Sequence, residues 1–164
     1  MLIGIGGCSC SGKTTLAEAL VWHYRTLNKT AIVLHQDDFV LRPTDIPLIK
    51  GRPDWETPAS IDFERLDLGV RFFQQHFEIV LVEGLFAFAN AALSQSYDFS
   101  FFVEITQSAF QTRRSATTRW GAEPDWFVQH VWCSFLKYGS SPILATCVSG
   151  EQPFDIETIA PALR

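Results

Sequence analysis

The chain has 164 residues, 47% of them hydrophobic and 19% charged, which suits one domain with a sizeable core. Fourteen Phe and an aromatic content of 13% exclude a disordered chain, and no apolar stretch reaches the ~18 residues that a membrane-spanning helix needs. A net charge of -5 argues against nucleic acid as the main partner. A glycine-rich motif lies where the apolar core of a leader peptide would be, so a cytoplasmic protein is expected, with no membrane partner. The cysteines are too sparse for a disulfide framework and lack the CxxC pairing of a zinc site. They read as free thiols, Cys8 and Cys10 in a loop, Cys133 and Cys147 in the core.

Apolar runs alternate with helical periodicity from end to end. Residues 1–6 form a short buried strand ending in glycines, and from Lys13 onward Leu16, Leu20, Tyr24 and Leu27 recur at helical spacing. Asn28 is a tolerable left-handed residue to end that helix, and residues 30–35 give a second strand. Residues 41–58 hold four of the eight prolines and six charges, so they read as a long loop, which in a compact domain is usually functional. Ser60 or Asp62 can cap a helix whose apolar stripe is Phe63, Leu66, Val70, Phe73 and Phe77. Residues 78–82 and 99–105 are further strands, the latter apolar on both faces and so central. Residues 107–119 are helical, and Pro124 can open a helix on which Val128, Val131, Trp132 and Phe135 share a face. Residues 143–148 make a fifth strand, and residues 156–163 a last short helix. The alternation implies an α/β domain with a parallel sheet covered on both faces.

Gly7-Cys8-Ser9-Cys10-Ser11-Gly12-Lys13-Thr14 fits G-x-x-x-x-G-K-[ST] at every fixed position, between a strand and an amphipathic helix as that motif requires. The glycines let successive N–H groups curl around a polyphosphate at a helix N-terminus. Ser9 and Ser11 belong to that loop, Lys13 reaches the outer phosphates, the Thr14 hydroxyl can ligate Mg²⁺, and Thr15 can reach the α-phosphate. Glu83, an acid closing the apolar run 79–82, is expected to organise the metal. A dinucleotide fingerprint is excluded, because the glycine it needs at position 9 is Ser9. Asp37 and Asp38 follow the second strand, where a carboxylate facing the γ-phosphate suits a general base. Asn28-Lys29-Thr30-Ala31 lacks the Asp of a guanine-reading motif and precedes its strand, against a GTPase switch.

Taken with the P-loop, Gln36-Asp37-Asp38-Phe39, the run from Trp55 to Asp62, Val82-Glu83-Gly84, His130-Val131-Trp132 and Phe135-Leu136-Lys137-Tyr138 are in the right order for a known family. The chain resembles the uridine kinase and nicotinamide riboside kinase group, the latter more closely. The resemblance implies a single P-loop kinase domain over residues 1–164, a three-layer sandwich with a five-stranded parallel sheet, a substrate loop at 42–58 and a short helical lid at about 107–123. It implies ATP and Mg²⁺ as cofactors and a nucleoside-like small molecule as partner, the protein being a monomer or homodimer.

Residue by residue, Asp37 matches the family's catalytic base, Lys13 and Thr14 its phosphate and metal residues, and Glu83 its metal-organising acid. Trp55-Glu56 matches an aromatic–acid pair that stacks on the base and bonds ribose hydroxyls. Arg113, Arg114 and Arg119 match a lid that closes over phosphates, with Arg114 and Arg119 toward the nucleotide and Arg119 also toward the acceptor. Trp126 lies where a second stacking aromatic would be useful, and His130 is either a substrate contact or a hydrogen-bonded core residue. Glu56 stands where the family has Asp, Val128 where it has an acid, and the lid arginines are more widely spaced. The expected function is phosphorylation of the 5′-hydroxyl of a ribonucleoside, nicotinamide riboside first, with uridine, cytidine or pantothenate as alternative acceptors. A nucleotide-binding switch that has lost the acceptor site is the alternative from another class.

Overall fold

The computed structural model describes residues 1–119, 121 and 123–162. Five parallel strands form the main sheet in the order β2-β5-β1-β6-β7, where β1 is Leu2–Gly7, β2 Ala31–His35, β5 Ile79–Glu83, β6 Phe99–Glu104 and β7 Thr146–Ser149. A separate two-residue hairpin, β3 (Leu48–Ile49) and β4 (Arg52–Pro53), lies within the 42–58 loop. The helices are α1 (Lys13–Thr26), α2 (Phe63–Gln74), α3 (Ala91–Ser96), α4 (Gln107–Ala116), α5 (Asp125–Tyr138) and α6 (Ile156–Ile159).

Period-two alternation along the strands feeds two cores. Ile3, Ile5, Ile79, Leu81, Phe101 and Val103 pack against Leu16, Leu20 and Tyr24 of α1, with α6 residues Ile156 and Ile159 against the same cluster. Leu2, Leu34, Val80 and Val82 point to the other face and meet Leu66 and Val70 of α2 and Leu93 of α3. The α2 stripe is therefore core, and its N-terminus is held by the Asp62 carboxylate, which accepts from the Arg65 amide at 2.9 Å. Ser60, the other candidate cap, instead closes the preceding turn, its buried hydroxyl donating to the Thr57 carbonyl at 2.7 Å. Asn28 is left-handed as expected, with φ 58°. In a third cluster Val128, Val131, Trp132 and Phe135 of α5 pack with Cys8 and with Phe110 of α4.

Five expectations need correction. The fifth strand is Thr146–Ser149, and Ile143 and Leu144 are fully exposed in the turn before it. Their apolarity mimics a buried run, but Pro142 starts a turn closed by the Ala145 amide on its carbonyl. Cys133 and Cys147 are exposed and not in the core, because α5 turns Cys133 away from the packed stripe and β7 is an edge strand. α4 stops at Ala116, since Thr117 is extended (φ -86°, ψ 139°), so Arg119 lies beyond the helix. Pro124 is the residue before α5, not its first turn. The last helix ends at Ile159, and Leu163, to which it was expected to run, lies outside the described residues. No helix among the described residues is long and apolar enough to cross a membrane.

Candidate active site

Parallel strands carry their loops to one edge of the sheet, and there the loop after β1, the turn after β2 and the end of β5 converge. The loop between Gly7 and α1 curls through left-handed residues Cys10 (φ 60°) and Gly12 (φ 102°). Gly7 is obligatory: at φ 143° a Cβ there would lie 2.4 Å from the Val103 carbonyl oxygen of the neighbouring strand. The Lys13 ammonium donates to the Cys8 carbonyl at 2.8 Å, so its charge is drawn across the curl. The Cys8 thiol, pushed up to about 12 by burial, stays protonated and inert.

A cleft of about 690 Å³ opens beside this loop. Lys13, Thr14 and Thr15 line it together with Asp37, Trp55, Glu56 and Glu83. Arg113, Arg114 and Arg119 border the same space, as does Ser9. Asp37 stands exposed on the 3-10 turn Gln36–Phe39 that follows β2. Asp38 does not line the cleft, which separates two neighbouring acids that sequence could not rank. Ser11 and Gly7 do not line the cleft, and the Ser11 hydroxyl is buried with no hydrogen-bond partner among the described residues.

Thr14 and Glu83 meet: the Thr14 hydroxyl donates to Glu83 Oε1 at 3.0 Å. His35, assigned no role from sequence, bonds the same oxygen through Nδ1 at 2.8 Å. Their pairing in the β2–β5 register makes that contact, and only the strand alignment could have revealed it. These oxygens suit a hard divalent cation. Among the described residues no group of three or more His, Cys, Asp or Glu could hold a metal alone, so Mg²⁺ here would be completed by phosphate and water. The cradle and the donor set both fit a magnesium–polyphosphate.

The three arginines make different contacts. Arg113 ties the loop to the segment after β7, donating to the Cys10 carbonyl at 3.0 Å and the Gly150 carbonyl at 2.7 Å. Arg114 is buried, with its Nε and Nη2 each 2.6 Å from a Glu123 oxygen and its Nη1 2.8 Å from the Ser9 hydroxyl. Arg119 borders the cleft from the segment after α4. Glu56 is half-buried, and desolvation pushes its carboxyl up to about 7. Arg114 and His130 pull it down, while Asp54 and Asp37 add to the rise.

Trp126 does not line this cleft; the Lys50 ammonium sits 4.2 Å over its ring. His130 also stays out of it and bonds Asp54, a residue sequence reasoning passed over.

Sheet order and phosphate loop together define a P-loop kinase fold. The structure superposes on a protein described as a possible uridine kinase from Bacillus stearothermophilus, with a TM-score of 0.56 and 19% identity over 85% of this chain and 82% of that one. Shikimate kinase from Aquifex aeolicus gives a TM-score of 0.53 and 22% identity over 93% and 89%. In sequence the chain is 28% identical to nicotinamide riboside kinase 1 of Homo sapiens, covering 84% of this chain and 75% of that protein. It is 20% identical to nicotinamide riboside kinase of Schizosaccharomyces pombe, covering 83% and 77%. No family model matches. The resemblance read from the motifs holds: the chain is a homologue of the nicotinamide riboside kinases with a P-loop kinase fold.

Proposed function

We propose that the chain transfers the γ-phosphoryl group of ATP to the 5′-hydroxyl of a ribonucleoside, nicotinamide riboside being the first candidate. The observation that supports this reading is one cleft lined both by the phosphate loop and by Asp37, Trp55 and Glu56. A switch protein would need the first set alone. The names of the sequence relatives support the same acceptor.

In this reading Asp37 accepts the proton of the attacking hydroxyl, and Lys13 stabilises charge on the transferring group. Gly7, Gly12 and the backbone between them cradle the phosphates, and Thr15 donates to the innermost one. Thr14 and Glu83 would hold Mg²⁺, which when bound supplies charge neutralisation on the phosphate oxygens. Arg119 contributes positive charge from the lid side, whereas Arg114 acts by shaping the loop through Ser9.

Trp55 and Glu56 set acceptor preference. A cationic pyridinium on the Trp55 face gains a cation–π contribution of ~1–2 kcal/mol that a neutral pyrimidine lacks, roughly a tenfold preference. Trp55→Leu is therefore expected to weaken nicotinamide riboside about tenfold more than uridine. Steady-state kinetics with both nucleosides, with melting temperatures alongside, checks this. Equal losses on both would remove nicotinamide as the first candidate in favour of uridine or cytidine.

A further inference from the structure

The segment that carries Trp55 and Glu56 is a proline-rich loop with a two-residue hairpin, too little structure to fix two side chains by itself. It is tied to α5 at two points. At the hairpin tip, the Lys50 ammonium stacks on Trp126. Nearer the acceptor wall, His130 Nε2 lies 2.8 Å from Asp54 Oδ1. That same carboxylate oxygen accepts the Glu56 amide at 3.1 Å, while the Asp54 amide donates to the Pro47 carbonyl at 2.7 Å. One residue, Asp54, therefore joins the helix and the backbone of the residue that faces the cleft through its carboxylate, and the loop's closing turn through its amide.

The histidine is itself held. Its ring packs against Phe127 with centroids 6.1 Å apart, and the Ser134 hydroxyl is 3.5 Å from the bonded nitrogen. His130 and Asp54 side chains are only 19% and 17% exposed, so water competes poorly for the bond. Neither residue lines the cleft.

We infer that His130 is a positioning residue for acceptor recognition: through Asp54 it clamps the 42–58 loop to α5 and so fixes Trp55 and Glu56 against the acceptor. This rests on the nucleoside kinase reading for its acceptor, but the clamp itself is a property of the loop.

The test uses the whole chain with His130→Phe, Asp54→Ala, the double variant and His130→Gln, whose amide nitrogen can reach the same carboxylate. Two readouts are taken: KM for nicotinamide riboside and for ATP separately, and amide hydrogen exchange of residues 48–57 without acceptor. A hydrogen bond to a charged group sets the scale at roughly tenfold. His130→Phe and Asp54→Ala are expected to raise the acceptor KM by about that factor and speed exchange in the loop, leaving the ATP KM within about twofold. The double variant should be no worse than Asp54→Ala, which already removes the shared bond together with the acceptor of the Glu56 amide, and His130→Gln should restore both readouts. Unchanged exchange in the loop would overturn the inference, as would a parallel rise of both KM values. The exchange readout needs no acceptor, so it decides on the clamp even if no riboside is phosphorylated.

Discussion

Glu56 shows how a single residue ties environment to function. Desolvation pushes its carboxyl up from the ordinary 4.5 to about 7, outweighing the pull of Arg114 and His130. Between those two values the folded chain binds more protons than the unfolded one, so this group's contribution to stability falls as pH rises through that window. The full cost is present above about 7 and absent below about 4.5. Glu56→Gln removes it, so the variant should gain melting temperature over wild type at about pH 8 and little at about pH 5. Thermal melts at both values check the sign, and a gain independent of pH would contradict it. Sequence singled out this residue and the aromatic beside it, and both line the cleft. It could not supply Asp54 as the partner of His130, since the two are 76 positions apart and meet only because the loop folds back on α5.

Elements whose periodicity runs over several turns or a buried strand were legible: α1, α2, α5, β1, β2, β5 and β6 all lie where hydrophobic spacing puts them. The hairpin at 48–53 was not, because two-residue strands interrupted by proline carry no period. α3, six residues long, has a stripe too short to read. β7 misled because an edge strand needs little apolarity while the exposed turn before it carries Ile143 and Leu144. Close packing at the end of β5 has a consequence for the element beside it. A Cβ on Gly84 would lie 2.4–2.8 Å from Gln36, whose Oε1 accepts the buried Phe86 amide at 2.8 Å. Gly84→Ala should therefore cost about 1–3 kcal/mol and displace the turn that carries Asp37, lowering turnover as well. Denaturant midpoints and initial rates measure the two effects. Wild-type stability would show that Gln36 can move without cost.

On the scale of the whole molecule, an acidic chain of net charge -5 gathers Lys13, Arg113, Arg114 and Arg119 around one cleft. Asp37, Glu56 and Glu83 line the same cleft, so its basic groups act locally on a polyphosphate at the sheet edge rather than through a net positive field. The phosphate half of this arrangement was readable from a contiguous motif. The acceptor half was not fully readable, since it joins β2, the 42–58 loop and α5 from distant parts of the chain.

The proposed activity requires that phosphate leave ATP for a riboside hydroxyl under the control of Asp37. γ-Labelled ATP, incubated with nicotinamide riboside and either wild type or Asp37→Asn, tests it most directly. Wild type is expected to place label on the 5′-oxygen of the riboside, and Asp37→Asn to show a fall in turnover on the order of 10² or more at nearly unchanged ATP affinity. Label appearing only as inorganic phosphate, whatever nucleoside is supplied, or Asp37→Asn working at the wild-type rate, would contradict it.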